Sequence, residues 1–284
     1  MNRHVISFLN DKVIYQHKLT QENYYLKAHS HNDYEIIFFT EGDVSYTIEN
    51  KKYQLSKYDL VITRPTAHHN LIINNKCTYD RYNALFSANG FFASILSTLS
   101  KEIDVINCAD DSVIIESFKK LDYYEENYEN EEFKNVLLSV LTEVLYKIKY
   151  KNVQSLVDYK PLPDVIKKSI EYINANLYTI KDISEVSSAL YVSKNYFFRV
   201  FKQELKISPK KYIVSKRLLR AQNLLRLGEK PTEVYLDCGF DNYTSFYKQY
   251  VTEFGYPPSK ENKKWTSKLI IKETQLFFEK REVR

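Results

Sequence analysis

The stretch Ser193 to Pro209, SKNYFFRVFKQELKISP, has its landmarks repeated 49 residues later in NYTSFYKQYVTEFGYPP. Phe197, Phe201 and Pro209 return as Phe246, Tyr250 and Pro258, and Arg199 returns as Lys248. A short apolar-patterned segment precedes each copy, with Val186, Leu190 and Val192 before the first and Val234, Cys238 and Phe240 before the second. This pattern restricts the region to one helix-turn-helix unit present twice. Two short basic helices held at a fixed separation suit the reading of two successive stretches of double-stranded DNA.

Capping signals set the helix limits. Asp164 is placed at the cap of a helix carrying Val165, Ile166, Ile170 and Ile173, and Asp182 with Glu185 forms a capping box for the next. Ser193 caps the first recognition helix, after a turn at Tyr191 and Val192. Ser208-Pro209 opens a helix that Gly228 stops about 19 residues later, roughly 28 Å of strut at 1.5 Å per residue. That approaches the ~34 Å turn of B-DNA, so the strut can present both readers to adjacent major grooves. Gly239 and Gly255 fall in the second unit's turn and just after its recognition helix, where a left-handed backbone is needed.

Within the first recognition helix, Phe197, Val200 and Phe201 share an inward face, leaving Lys194, Asn195, Phe198, Arg199 and Lys202 outward. Arg199 can pair with guanine, Asn195 with adenine, and Phe198 can pack on a thymine methyl. In the second, Phe246 and Tyr250 turn inward, while Tyr243, Thr244, Tyr247 and Lys248 face out. Lys194, Lys202 and Lys210 are assigned to phosphates. A helical-hairpin repeat used for protein contacts is the bland alternative.

Charge divides with the chain. Residues 160 to 284 hold 24 Lys/Arg against 14 Asp/Glu, a surplus of ten, while residues 1 to 159 hold 17 against 22. A basic half beside an acidic one fits a phosphate-binding module joined to another domain, though a solvated surface charge would look the same. Lys160-Pro161-Leu162-Pro163 disfavours helix, and the boundary is placed there, dividing the chain into 1–159 and 160–284. Just before it, Phe133, Val136, Leu137, Val140, Leu141, Val144, Leu145 and Ile148 make residues 131–151 an amphipathic helix. Its stripe packs either on its own domain or on a second subunit, and because two half-sites are to be read a homodimer through this 131–151 helix is expected.

No uncharged apolar run reaches 18 residues, and Asp11 interrupts the N-terminus before a signal-length stretch accumulates, so neither a membrane span nor export is expected and the cytoplasm is. Cys77, Cys108 and Cys238 form no paired spacing and read as buried reduced thiols.

The run from Asp182 through Trp265, particularly YVSKNYFFRVFKQELKISPKKYI and CGFDNYTSFYKQYVTEFGYPP, resembles the paired helix-turn-helix domain of AraC/XylS-type transcriptional regulators. The resemblance implies seven helices, with a long one bridging the DNA-reading units. It places base reading on Asn195, Phe198 and Arg199, and on Tyr243, Thr244, Tyr247 and Lys248. The chain departs from the family pattern in several places. Ser187 and Tyr235 stand where a small Ala is usual, Lys206 where Gly follows the first recognition helix, and Glu261 and Asn262 where an aromatic residue and Arg are usual. Residues 266–284 extend past the pattern.

The N-terminal half carries short strand patterns at 35–39, 44–48 and 60–63 separated by turn residues such as Glu41-Gly42-Asp43, as in a small β-barrel. His29-x-His31-x-x-x-Glu35 followed by Gly42 resembles the first cupin motif, and Arg64-Pro65-Thr66-Ala67-His68-His69 the second. The resemblance covers roughly residues 20–90, with helices after. His29, His31, Glu35 and His68 are the candidate ligand-binding residues. Two His, a Glu and a later His could also bind a divalent ion. Because Asn23 and Asp59 replace motif glycines and Asn70 stands at the fourth-ligand position of many enzyme cupins, these residues are read as hydrogen-bonding groups in a barrel mouth, with no metal, cofactor or catalysis.

The expectation is a multidomain α and β protein: a cupin-like β-barrel with following helices, then an all-α domain of seven helices with two helix-turn-helix units. Its expected role is that of a sequence-specific DNA-binding regulator, and the resemblance implies an activator that works through RNA polymerase. The resemblance also implies control by a sugar-like or other polar small-molecule effector, acting on the population able to occupy both half-sites. The rival readings are a metal-dependent cupin enzyme fused to a DNA-binding domain and a regulator that senses nothing.

Overall fold

The computed structural model describes residues 3–8, 11–20, 25–75, 77–150, 157–261 and 282–283. Two six-stranded sheets face each other in the N-terminal half. The first has the order β1 (Arg3–Phe8), β2 (Asp11–Thr20), β9 (Tyr79–Ser87), β4 (Asp33–Glu41), β7 (Asp59–Thr63), β10 (Val105–Asn107). The second runs β11 (Lys160–Pro161), β6 (Lys51–Gln54), β5 (Val44–Ile48), β8 (His69–Ile73), β3 (Tyr25–His29), β12 (Glu282–Val283). All pairings are antiparallel.

The run Ile36-Ile37-Phe38-Phe39 lacks hydrophobic alternation because the first sheet is covered on both faces. Ile37, Phe39 and Val61 meet Val44, Tyr46, Ile48 and Leu71 of the second sheet. Ile36, Phe38, Leu60 and Ile62 meet the helices α1 (Phe91–Leu96), α2 (Ser112–Asn127) and α3 (Asn130–Lys149). The α3 stripe Phe133, Leu137, Leu141, Val144, Leu145 and Ile148 belongs to this intramolecular core. That stripe therefore takes the intramolecular of its two expected fates. On α2 and at the end of α3, Tyr123, Tyr128, Tyr146 and Tyr150 stay exposed.

The C-terminal half is helical: α4 (Asp164–Ala175), α5 (Ile183–Ala189), α6 (Lys194–Leu205), α7 (Pro209–Arg226), α8 (Pro231–Asp237), α9 (Tyr243–Phe254) and a 3-10 turn at Pro258–Lys260. Asp164 is the first residue of α4 and Pro163 its cap, one position from expectation. The capping box of Asp182 and Glu185 forms, Ser193 accepts from the Tyr196 amide, and Ser208 accepts from the Lys211 amide. Lys206 adopts the left-handed conformation itself, φ 58°, so the first unit ends as a glycine-terminated helix would. Glu261 is buried and accepts from Tyr250 Oη at 2.5 Å and Arg226 Nε at 2.8 Å, which explains an acid at a usually aromatic position. Tyr235 lays its ring against Tyr243 and Phe246, filling the space a smaller residue would leave.

The two helical units have separate cores. The first gathers Ile166, Ile170, Ile173, Val186, Phe197, Phe201 and Leu205 with Tyr212 and Ile213 of α7. The second gathers Leu218, Ala221, Leu224 and Leu225 of α7 with Val234, Cys238, Phe240, Phe246 and Tyr250. At 1.5 Å per residue, the 18 residues of α7 span about 27 Å. The proline linker is not free of the sheet domain: Lys160 and Pro161 pair with Lys52 and Lys51, and the Leu162 amide donates to the Asn50 carbonyl. Beyond residue 261 only Glu282 and Val283 are described, paired with β3, so most of the 266–284 extension and Asn262 lie outside the described residues. Cys77, Cys108 and Cys238 are free thiols, the last two buried. Among the described residues no helix is long and apolar enough to cross a membrane.

Candidate nucleic-acid interface and histidine cluster

Helix α6 buries Phe197, Phe201 and Leu205 and leaves Lys194, Asn195, Phe198, Arg199 and Lys202 exposed. Helix α9 repeats the arrangement, burying Phe246 and Tyr250 and exposing Thr244, Tyr247 and Lys248. Tyr243 is half-buried, its ring held among Tyr235, Phe246 and Tyr247. Lys194 Nζ lies 3.3 Å from Asp182 Oδ1, an exposed pair that a phosphate can replace at little cost. The Arg199 guanidinium lies 5.8 Å from the Tyr196 ring centre. Tyr191 in the first turn is almost fully exposed with φ 55°, a departure that the sequence pattern did not reveal.

In the sheet domain, His29, His31 and His69 are buried, and one ligand atom from each lies within 4.8 Å of the others. Strand parity selects His69 and its partner Glu35: His69 and Leu71 point between the sheets, as do Glu35, Ile37 and Phe39. Glu35 Oε2 stands 3.3 Å from His31 Nε2 and 3.2 Å from His69 Nε2, and Asn83 Nδ2 donates to Glu35 Oε1 at 2.6 Å. His31 Nδ1 donates to the Asp33 carbonyl and His69 Nδ1 to the Ala67 carbonyl, both at 2.9 Å, so each Nε2 is aimed at the carboxylate. Burial pushes Glu35 upward, but the hydrogen bonds and charges of His31 and His69 outweigh it and hold the carboxyl well below the usual range. Burial lowers His69, against the pull of Glu35. A proton, a divalent cation or a donor group of a ligand placed between these nitrogens and Oε2 would satisfy both sides. Three imidazoles and a carboxylate also form a donor set suited to zinc, iron or manganese.

His68 is not in this cluster. It points out of the second sheet, where its Nε2 donates to the Leu205 carbonyl at 3.3 Å and its ring stands edge-on to Tyr212, and burial pushes it down to about 4. The neighbouring His69 takes the inward position. Of the histidine doublet, only the register of β8 decides which residue faces in, and the sequence motif carries no such register.

The outward face of the second sheet meets the helical half. Glu49, in a positive-φ turn, accepts from Tyr212 Oη at 2.6 Å, Lys216 Nζ at 2.8 Å and the His68 amide at 3.0 Å. Asn32 Nδ2 donates to the Leu219 carbonyl and to Gln222 Oε1, and Asn223 donates to Asn32 Oδ1. The loops that carry His31 and His69 therefore also touch α7 through their neighbours Asn32 and His68. These contacts had no counterpart in the motif reading, because they join residues more than 130 positions apart.

The fold defines a class: a paired helix-turn-helix protein with a double-sheet domain of cupin type. Residues 186–264 match the family model described as a helix-turn-helix domain, and residues 13–111 match the one described as an AraC-like ligand binding domain. The chain is 32% identical over 124 residues to the transposon Tn10 TetD protein of Escherichia coli, 42% of this chain and 90% of that protein. It is 30% identical over 90 residues to the probable transcriptional regulator LumQ of Photobacterium leiognathi, 31% of this chain and 36% of LumQ. The matched part thus spans about a third of that relative's length. Among solved structures, ToxT from Vibrio cholerae O395 aligns over 87% of this chain and 96% of its own, at 16% identity and a TM-score of 0.36. The chain belongs to the AraC-type family of transcriptional regulators.

Proposed function

We propose that this protein is a sequence-specific regulator acting in the cytoplasm, whose α6 and α9 enter successive major grooves of double-stranded DNA. The observation behind this reading is the paired division of the two helices. Phe197 and Phe201 in one, and Phe246 and Tyr250 in the other, are buried, while Asn195, Phe198, Arg199, Thr244, Tyr247 and Lys248 stay exposed beside the docked sheet domain. Arg199 and Asn195 have the donor geometry for guanine and adenine, and Lys202 and Lys248 supply cationic contacts. The polar cluster of His29, His31, Glu35 and His69 is the effector site in this proposal, and His68, which points out of the sheet, links it to α7. It suits a polar or sugar-like metabolite that brings hydrogen-bond donors to Glu35. A ligand there would act on α7 through Asn32 and His68, favouring an arrangement that recruits RNA polymerase and activates.

A homodimer is part of the proposal. Because the apolar stripe of α3 is taken up internally, the dimer contact falls to the opposite side of that helix, where Tyr146 and Tyr150 are exposed. A second reading, metal binding at His29, His31 and His69, is favoured by the convergence of their ligand atoms; in it the ion is the effector and the role remains non-catalytic.

Selection of bound sequences from random DNA, repeated with a metabolite panel and with zinc, iron or manganese salts, tests the DNA and effector readings. A bipartite operator whose recovery changes with one addition is the expected result. Failure to enrich any sequence would sink the DNA reading, and enrichment indifferent to every addition would sink the effector reading.

A further inference from the structure

Among the described residues, and apart from α7, the two helical units have no core residue in common. One helix joining two bodies sets their separation but leaves bending and twisting to its own stiffness. A second attachment lies at the midpoint of α7. Arg217, buried, donates from Nε to the Leu177 carbonyl at 2.8 Å and from Nη2 to the Ile180 carbonyl at 2.6 Å, both in the loop after α4. Its Nη1 donates to the Gly239 carbonyl at 2.8 Å, in the turn of the second unit. One planar guanidinium therefore binds both units in three fixed directions, which a lysine ammonium cannot reproduce. At the same junction Gly239 has φ 77°, and a Cβ there would stand 2.9 Å from the Tyr178 carbonyl carbon, so the turn rests directly on the first unit's backbone. At the rim Lys181 Nζ meets Asp241 Oδ1 at 2.7 Å.

We propose that Arg217 is a positioning residue that fixes the angle between the two recognition helices, and through it the number of base pairs this protein accepts between its half-sites. The inference rests on the reading of α6 and α9 as two readers of one duplex. One base pair more or less moves the second half-site by about 3.4 Å and turns it by about 35°, so a module with a fixed inter-unit angle rejects altered spacers while a loosely hinged one tolerates them. Arg217 is buried behind the reading faces, so its effect reaches DNA only through this geometry.

The test uses the full chain and an operator selected by the parent protein from random DNA. Binding is measured on that operator, on versions with one or two base pairs inserted or deleted between half-sites, and on duplexes keeping a single half-site. For Arg217→Lys, single half-site affinity should stay within about twofold of the parent, while affinity for the full operator falls about tenfold as the effective concentration of the second reader drops. The penalty for a one-base-pair insertion should shrink about fivefold by the same loss of rigidity. Gly239→Ala, whose added carbon lifts the turn off Tyr178, should give the same pattern, and it carries the test if Arg217→Lys does not fold. An unchanged spacing penalty overturns the proposal, and so does an equal loss on half-site and full operator. A parent protein that selects no bipartite sequence overturns the two-reader reading instead.

Discussion

Arg199 and Lys202 lie on one exposed face of α6, three positions apart, yet they should fail differently when removed. Arg199→Ala is expected to cost about 1 to 3 kcal/mol and to relax choice at one base pair, because a bidentate base contact carries sequence information. Lys202→Ala is expected to weaken all sequences alike and to lower the salt dependence, as loss of a phosphate contact does. Binding isotherms on the operator and its single-base variants at two salt concentrations separate these outcomes. Selective, undiminished binding by Arg199→Ala would show that the reading face is misassigned. In the sheet domain, His17 bridges Asp122 through Nδ1 at 2.7 Å and Asp80 through Nε2 at 2.8 Å, tying α2 to β2 and β9. Burial opposes its charge, but the two carboxylates prevail and raise it to about 9. Its folded value lies above the unfolded one, so its stabilisation is complete below pH 6.5 and disappears as pH rises through 9. His17→Asn should therefore melt well below the parent at pH 6 and close to it at pH 10. The sequence disclosed Arg199 through its spacing in a repeat, whereas the His17 bridge depends on partners 63 and 105 positions away and left no local trace.

At the scale of elements, local chemistry was widely legible. The caps Asp182, Ser193 and Ser208 and the left-handed Gly255 all act within four residues of the helix end they serve, so their signal survives in a linear reading. Lys206 shows how packing overrides a local preference. Leu205 and Ile207 are both buried in the first core, and the chain can satisfy both only by turning through the left-handed region at the residue between them. Lys206→Gly should relieve that conformation and raise stability by about 0.5 to 1 kcal/mol, after the greater entropy of glycine in the unfolded chain is offset. Urea unfolding would check the sign, and a loss of stability would mean that the Lys206 side chain contributes more than its backbone costs. The histidine doublet shows the opposite limit. His68 and His69 are equivalent in the motif, and only the hydrogen-bond register of β8 with β3 and β5 sends one inward and the other toward α7.

For the molecule as a whole, the contact of Glu49 with Tyr212 and Lys216 is the charged centre of the junction between the sheet domain and α7. Burial raises the Glu49 carboxyl, but Lys216, Tyr212 and the His68 amide outweigh it and keep it below its ordinary value. Its contribution is therefore present above the ordinary carboxylate range and is lost as pH falls. Glu49→Gln should weaken the docking by about 2 kcal/mol, the usual worth of a hydrogen bond to a charged group. Small-angle scattering would then record a larger radius of gyration for the variant at neutral pH and for the parent once the pH falls below the ordinary carboxylate range. An unchanged radius in both cases would mean that the remaining contacts, Asn32 with Leu219 and Gln222 among them, suffice. By itself the sequence determined the repeated helix-turn-helix unit, its outward-facing side chains apart from the half-buried Tyr243, and the strand-rich first half, because periodicity, caps and turn residues act over a few positions. Tertiary structure alone decided that His69 joins His29, His31 and Glu35, that Arg217 clamps the two units, and that α7 lies against Glu49. Each of these depends on backbone groups or charges brought together from distant parts of the chain, where no sequence spacing records the approach.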